Sequence, residues 1–162
     1  MVPGTALAML LFCFSTSHAQ VQPPRPLNIF VNPAQPLSFG AFYQGSLGGT
    51  VTISPSGVRS STGDIVLTNL GFTYSPALIE VEGLPGTLVS ILNGPDVILS
   101  GSNGGSMTLH IGTSSPASPF IITTTPPSRT VVNIGGTLTV GTPSANPAGA
   151  YTGTFNITFV EQ

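Results

Sequence analysis

The side chains able to do acid–base or metal chemistry are few. His110 is the only histidine beyond residue 18, and it stands in Met107-Thr108-Leu109-His110-Ile111. It alternates with Leu109 and Ile111, so a strand would project it from the polar face. A general base needs an orienting carboxylate and a nucleophile within reach, and no base–nucleophile pair is recognisable. Glu80 and Glu82 are two residues apart, which on a strand puts both carboxylates on one face. Hydrolysis of a glycosidic bond needs two carboxylates about 5–10 Å apart across the sugar, an arrangement that neighbours on one strand do not make. A calcium site with Asp64 or Asp96 would lack the spacing of a dedicated loop. One histidine without cysteine cannot build a zinc site. Gly48-Gly49 and Gly135-Gly136 precede strand-like runs, not helices, so they are expected as turns and not as phosphate cradles. The sequon Asn156-Ile157-Thr158 lies inside a strand-like run and is read as chance. No catalytic residue, cofactor or metal is therefore expected, nor an enzyme.

Composition narrows the partners. Only 5% of the 162 residues are charged, with three Lys or Arg and a net charge of −2, against about 25% in ordinary chains. Three scattered arginines do not make the basic footprint that nucleic acid requires. The same shortage argues against anionic membranes. Weak mutual repulsion eases association instead.

Residues 1–19 carry the marks of a cleaved signal peptide. Ala6 to Phe14 is a short apolar run, and Ser17-His18-Ala19 puts small residues at the third and first positions before a cut at Gln20. The run is too short to span a bilayer. Cleavage would remove Cys13, the only cysteine, so the exported chain would hold no disulfide and would rest on packing and backbone pairing alone. An exported domain without a transmembrane segment, in the periplasm, on the cell surface or outside the cell, is the expectation.

The elements follow from alternation and turn residues. Twenty Gly and sixteen Pro punctuate runs rich in Val, Ile and Thr. No run has the apolar spacing and caps of a helix. A Pro-rich lead-in, 20–26, precedes strands expected at Leu27–Val31, Leu37–Phe42, Thr50–Ser54, Asp64–Thr68, Ala77–Val81, Thr87–Leu92, Val97–Ser100, Met107–Ile111, Phe120–Thr124, Thr130–Ile134, Thr137–Val140 and Tyr151–Val160. Ten to twelve strands with frequent turns and no intervening helices indicate one antiparallel all-β domain over 27–162, a sandwich or a barrel.

The last run carries the most information. Tyr151, Gly153, Phe155, Ile157 and Phe159 share one face, and Thr152, Thr154, Asn156 and Thr158 the other. Such a strand can line a core, or border a groove completed by a strand from another subunit. Tyr151, Phe155, Ile157 and Phe159 are thus candidate assembly residues. Leu27, Ile29 and Val31, of one parity, are candidate donors, although Pro23, Pro24 and Pro26 oppose a long hydrogen-bonded donor strand.

Several segments together resemble a family of exported bacterial domains of unknown function. They are Pro36-Leu37-Ser38-Phe39-Gly40, Gly48-Gly49-Thr50-Val51-Thr52-Ile53-Ser54-Pro55-Ser56-Gly57-Val58-Arg59, Gly135-Gly136-Thr137-Leu138-Thr139-Val140-Gly141 and Pro147-Ala148-Gly149-Ala150-Tyr151-Thr152-Gly153-Thr154-Phe155. That family is similar to spore coat U and pilin-like sandwiches. The resemblance implies an immunoglobulin-like β-sandwich in the bacterial envelope or beyond it, with roles in surface fibres. It carries no catalytic residue to this chain. A structural or surface-assembly protein that associates with itself or other subunits by strand addition is the first expectation. The alternative is a secreted carbohydrate- or surface-binding module. With no Trp, its platform would rest on Tyr43 and Tyr74.

Overall fold

The computed structural model describes residues 26–162. The expected signal peptide and all but the last residue of the lead-in lie outside the described residues. The chain forms β1 (Asn28–Val31), β2 (Ser38–Phe39), β3 (Phe42–Ile53), β4 (Arg59–Leu67), β5 (Tyr74–Ser75), β6 (Ala77–Glu82), β7 (Leu88–Asn93), β8 (Val97–Gly101), β9 (Ser106–Ser115), β10 (Phe120–Ile121), β11 (Thr130–Val140), β12 (Tyr151–Thr152) and β13 (Ile157–Glu161). All strand pairings are antiparallel, and no helix occurs among the described residues. The all-β sandwich expected from alternation is what the chain adopts.

The large sheet runs β1-β6-β11-β9-β8-β12, and the β3–β4 hairpin joins it along β11. β11 is the hub. Its first half pairs with β6 and its second half with β3, while β9 lies along the opposite edge. The change of partner falls at Gly135-Gly136, where the register with β9 also shifts. A Cβ on Gly135 would stand 2.4 Å from the carbonyl oxygen of Ile53, so only glycine lets β3 approach there. This pair was expected as a turn between two strands. It is a bulge inside one long strand, because glycine serves a close backbone approach as readily as a reversal.

Gly48-Gly49 corrects the same expectation. Both lie inside β3, where the register with β4 slips between Gln44 and Gly49. Gly48 has φ +72°, and a Cβ there would meet the Val140 carbonyl oxygen at 2.4 Å. The Leu37–Phe42 run, expected as one strand, breaks at Gly40 (φ +66°) into β2 and the start of β3.

Inside, alternation does what sequence reading expected. Met107, Leu109 and Ile111 of β9 are buried, as are Ala77, Ile79 and Val81 of β6. Val51, Ile53, Val81, Val89, Ile122, Val132 and Ile134 are fully buried, each contributing about 1.5–3 kcal/mol of apolar transfer. Outside, hydroxyls bridge neighbouring strands: Thr50 Oγ1 lies 2.7 Å from Thr62 Oγ1, and Thr52 Oγ1 lies 3.0 Å from Thr137 Oγ1. These pairs replace the charged residues that the chain lacks.

A small sheet, β10-β7-β13, supplies buried Val89 and Phe120, and β2 pairs with β5 apart from it. The C-terminal run was expected as one strand, Tyr151–Val160. It divides instead: β12 pairs with β8 of the large sheet and β13 with β7 of the small one. Gly153–Asn156 crosses between them. Gly153 permits the crossing, since a Cβ would come within 2.6 Å of Leu99 Cδ2. Tyr151 anchors its start by donating its hydroxyl to the Pro147 carbonyl at 2.7 Å.

Candidate functional site

An apolar groove of about 1250 Å³ opens onto the core. One bank runs from Ile29 through Pro36 to Gln44, and the other from Asn146 to Phe159. The floor is Ala77 and Ile79 of β6, Leu138 of β11, Met107 and Leu109 of β9, and Leu99 of β8. These belong to four neighbouring strands of the large sheet. Among the described residues, no side chain lining the groove is charged.

The alternation read in the C-terminal run places its side chains as expected, despite the break in the strand. Tyr151, Phe155, Ile157 and Phe159 all line the groove and pack, half-buried, against the core. The edges beside them are only half used. Among the described residues, β12 pairs with β8 alone and β13 with β7 alone.

The candidate donors occupy a different place. Asn28–Val31 is β1, paired along its length with β6 of the same chain. Leu27 packs on the core. Ile29 and Val31 line the groove's other bank. In this fold Asn28–Val31 is an edge strand of the chain's own large sheet.

Two polar features hold the banks, and sequence reading identified neither. Arg59 donates from Nη1 to the Phe39 carbonyl at 3.0 Å and from Nη2 to the Thr68 carbonyl at 2.8 Å. Its guanidinium stacks 4.4 Å from the centroid of Tyr74. This ties the Phe39–Ala41 segment to β4 and β5. At the opposite bank Asn146 is the one buried polar side chain among the described residues. Its amide bonds the Ser106 carbonyl and the Gly141 N–H, and its own carbonyl accepts from Gln44 Nε2 at 2.6 Å. It thereby joins the loop before β12 to β9 and β3. An arginine and an asparagine in turn-rich stretches look alike whether solvated or structural, so no local signal marks them.

The aromatic candidates separate. Tyr43 is exposed and lines the groove together with Phe72, which is 69% exposed. Tyr74 lies under Arg59 and faces a smaller hollow with Asn69 and Phe72.

The chemistry-bearing residues lie outside the groove. His110 projects from the outer face, as expected, and its Nδ1 is 2.7 Å from Asp96 Oδ1. The orienting carboxylate exists, brought by the β8–β9 hairpin. Opposite His110 in register stands Thr137, whose hydroxyl lies 3.0 Å from that of Thr52. Glu80 and Glu82 do share one face, and Arg129 binds both, at 3.0 and 3.8 Å, with its guanidinium 3.5 Å from the Phe30 ring centroid. Among the described residues no three His, Cys, Asp or Glu side chains gather as metal ligands, and no helix is long and apolar enough to cross a membrane.

A family model described as a domain of unknown function, DUF4402, matches residues 29–160. No curated protein and no solved structure matches the chain.

Proposed function

The chain belongs to the DUF4402 family of domains of unknown function, and we propose that it is a non-enzymatic surface-assembly protein of the bacterial envelope, a pilin-like or coat-like subunit. One observation carries this reading: an apolar groove, uncharged among the described residues, that runs over the sheet beside strands pairing there on one side only. Apolar surface gathered in one groove is a mark of interaction sites. Strand addition would cover the floor and use the open backbone edge together. The low charge supports the same reading, because little repulsion opposes close association.

Export is part of the proposal. Mass spectrometry of the protein from the bacterium that makes it should find Gln20 at the N-terminus. A chain retaining residues 1–19 would refute export by cleavage at that point. For assembly, a photo-crosslinking amino acid at position 155, in the groove, is compared with one at position 108, on the outer face. Higher-mass adducts from position 155 in the envelope fraction are expected. Adducts from neither position, with the protein monomeric in every fraction, would sink the reading.

A second reading rests on exposed Tyr43 and Phe72 at the groove's mouth. Flat exposed rings suit a secreted carbohydrate-binding module. Glycan-array binding that disappears with Tyr43→Ala or Tyr74→Ala would favour it over assembly.

A further inference from the structure

The groove's chemistry narrows its occupant, on the premise that the groove is an assembly surface. Three features constrain what fits. Its volume, about 1250 Å³, exceeds the roughly 300–1,000 Å³ of small-molecule pockets. Its lining has no charged side chain among the described residues, so an occupant bearing charge inside it would lose hydration without a counter-charge from them. Its C-terminal bank presents Phe155 from the crossing segment and then Ile157 and Phe159 of β13, the last two about 6.6 Å apart, on a strand that pairs with β7 alone among the described residues. An acyl chain would satisfy the apolar floor but leave those backbone groups without partners. An extended peptide satisfies both.

The chain's own N-terminal segment fits poorly. Leu27–Val31 is already engaged as β1 and its approach. Before it come Pro23, Pro24, Arg25 and Pro26. The prolines have no N–H to donate, and Arg25 would carry charge into an uncharged groove. Farther back, Ala6 to Phe14 is apolar at every position, without the polar alternation that would keep one face of an inserted strand in water. The same N-terminal segment of a second copy would meet the same obstacles. We infer that the groove accepts an extended, uncharged, proline-free segment with alternating apolar residues from a different polypeptide, and that this chain is an acceptor and not its own donor.

The test uses the exported chain beginning at Gln20 and four synthetic probes. The first is a ten-residue peptide alternating Val, Ile or Phe with Thr or Ser. The second has the same composition in two blocks, and the third carries proline at two inward positions. The fourth is the chain's own Gln20–Val31 segment. Palmitate is run beside them. At about 100 times its Kd, the alternating peptide should raise Tm by roughly 5–10 °C and slow amide exchange across Gly153–Phe159. The block and proline peptides should do neither. Ile157→Thr should weaken binding of the alternating peptide at least tenfold, and Thr158→Ser, on the opposite face, should leave it unchanged.

Equal or better stabilisation by Gln20–Val31 would overturn the separate donor while leaving assembly intact. Protection by palmitate alone would overturn the strand. Failure of every probe would overturn the inference by itself. The assembly reading is judged separately, by the cellular adducts from position 155.

Discussion

The sandwich has a closed region and an open one, built from the same large sheet. In the closed region Val81 of β6, Val132 of β11, Val89 of β7 and Ile122 are all fully buried in the one core. In the open region Leu99, Met107, Leu109 and Leu138 are also buried, yet they form the floor of a groove. The bank residues above them, Phe155, Ile157 and Phe159, remain half-exposed. The side-chain chemistry is nearly identical. The difference lies in the covering layer: β10-β7-β13 covers one region, while the other is left between the C-terminal bank and the Ile29–Gln44 bank. Burial is a property of paired layers, so apolar alternation in a strand does not by itself say whether its core is sealed.

Substitutions in the two regions should separate accordingly. The largest effect is expected from Ile134→Ala, at the fully buried hub, costing about 2–5 kcal/mol in denaturant unfolding. If that loss were no greater than the loss at the groove bank, the contrast would fail. Asn146→Ala follows, at about 1–3 kcal/mol, because the Ser106 carbonyl and Gly141 N–H would lose their shared partner. Hydrogen exchange should then rise at the start of β9 and in the loop before β12, leaving β6 unaffected.

Arg59→Ala should cost about 1–2 kcal/mol, since it removes charge-assisted bonds to two carbonyls from a partly exposed site. Arg59→Lys should recover only part of that, because an ammonium cannot fork between Phe39 and Thr68. Ile157→Ala should cost about 1 kcal/mol or less in the isolated chain, its side chain being only half-buried. Its loss should grow when a strand-forming peptide is bound, and thermal melts with and without the peptide measure that difference. His110→Ala, an exposed ion-pair partner of Asp96, should change stability by no more than about 0.5 kcal/mol.

Much of this architecture was legible from residue order. Alternation assigned Ala77–Val81 and Val97–Ser100 to strands, placed Glu80 with Glu82 outside, and grouped Phe155, Ile157 and Phe159 on one face. The chain reverses at Pro55-Ser56-Gly57, between β3 and β4, where Pro, Ser and Gly are ordinary turn residues. Glycine was the systematic source of error. Gly48-Gly49 and Gly135-Gly136 looked like turns, yet both lie inside long strands where another backbone passes too close for a Cβ. The distinction depends on what approaches the glycine, and that neighbour is remote in sequence.

The site divides in the same way. The apolar bank at Tyr151–Phe159 was readable, because a period of two is a local property. The latches were not, because Arg59 meets Phe39 and Asn146 meets Ser106 only after the sheets assemble. The Asp96 partner of His110 likewise depends on hairpin register.

By itself, then, the sequence determined the antiparallel all-β class, the inward and outward faces of the strands and the scarcity of charge. All of these follow from short-range alternation and composition. Tertiary structure alone decided that β11 divides one edge between β6 and β3, that Asn28–Val31 pairs with β6 of its own chain, and that a groove runs beside the C-terminal run. Those outcomes depend on which backbones come close enough to pair and which layer covers which face, and both are settled by contacts between distant residues.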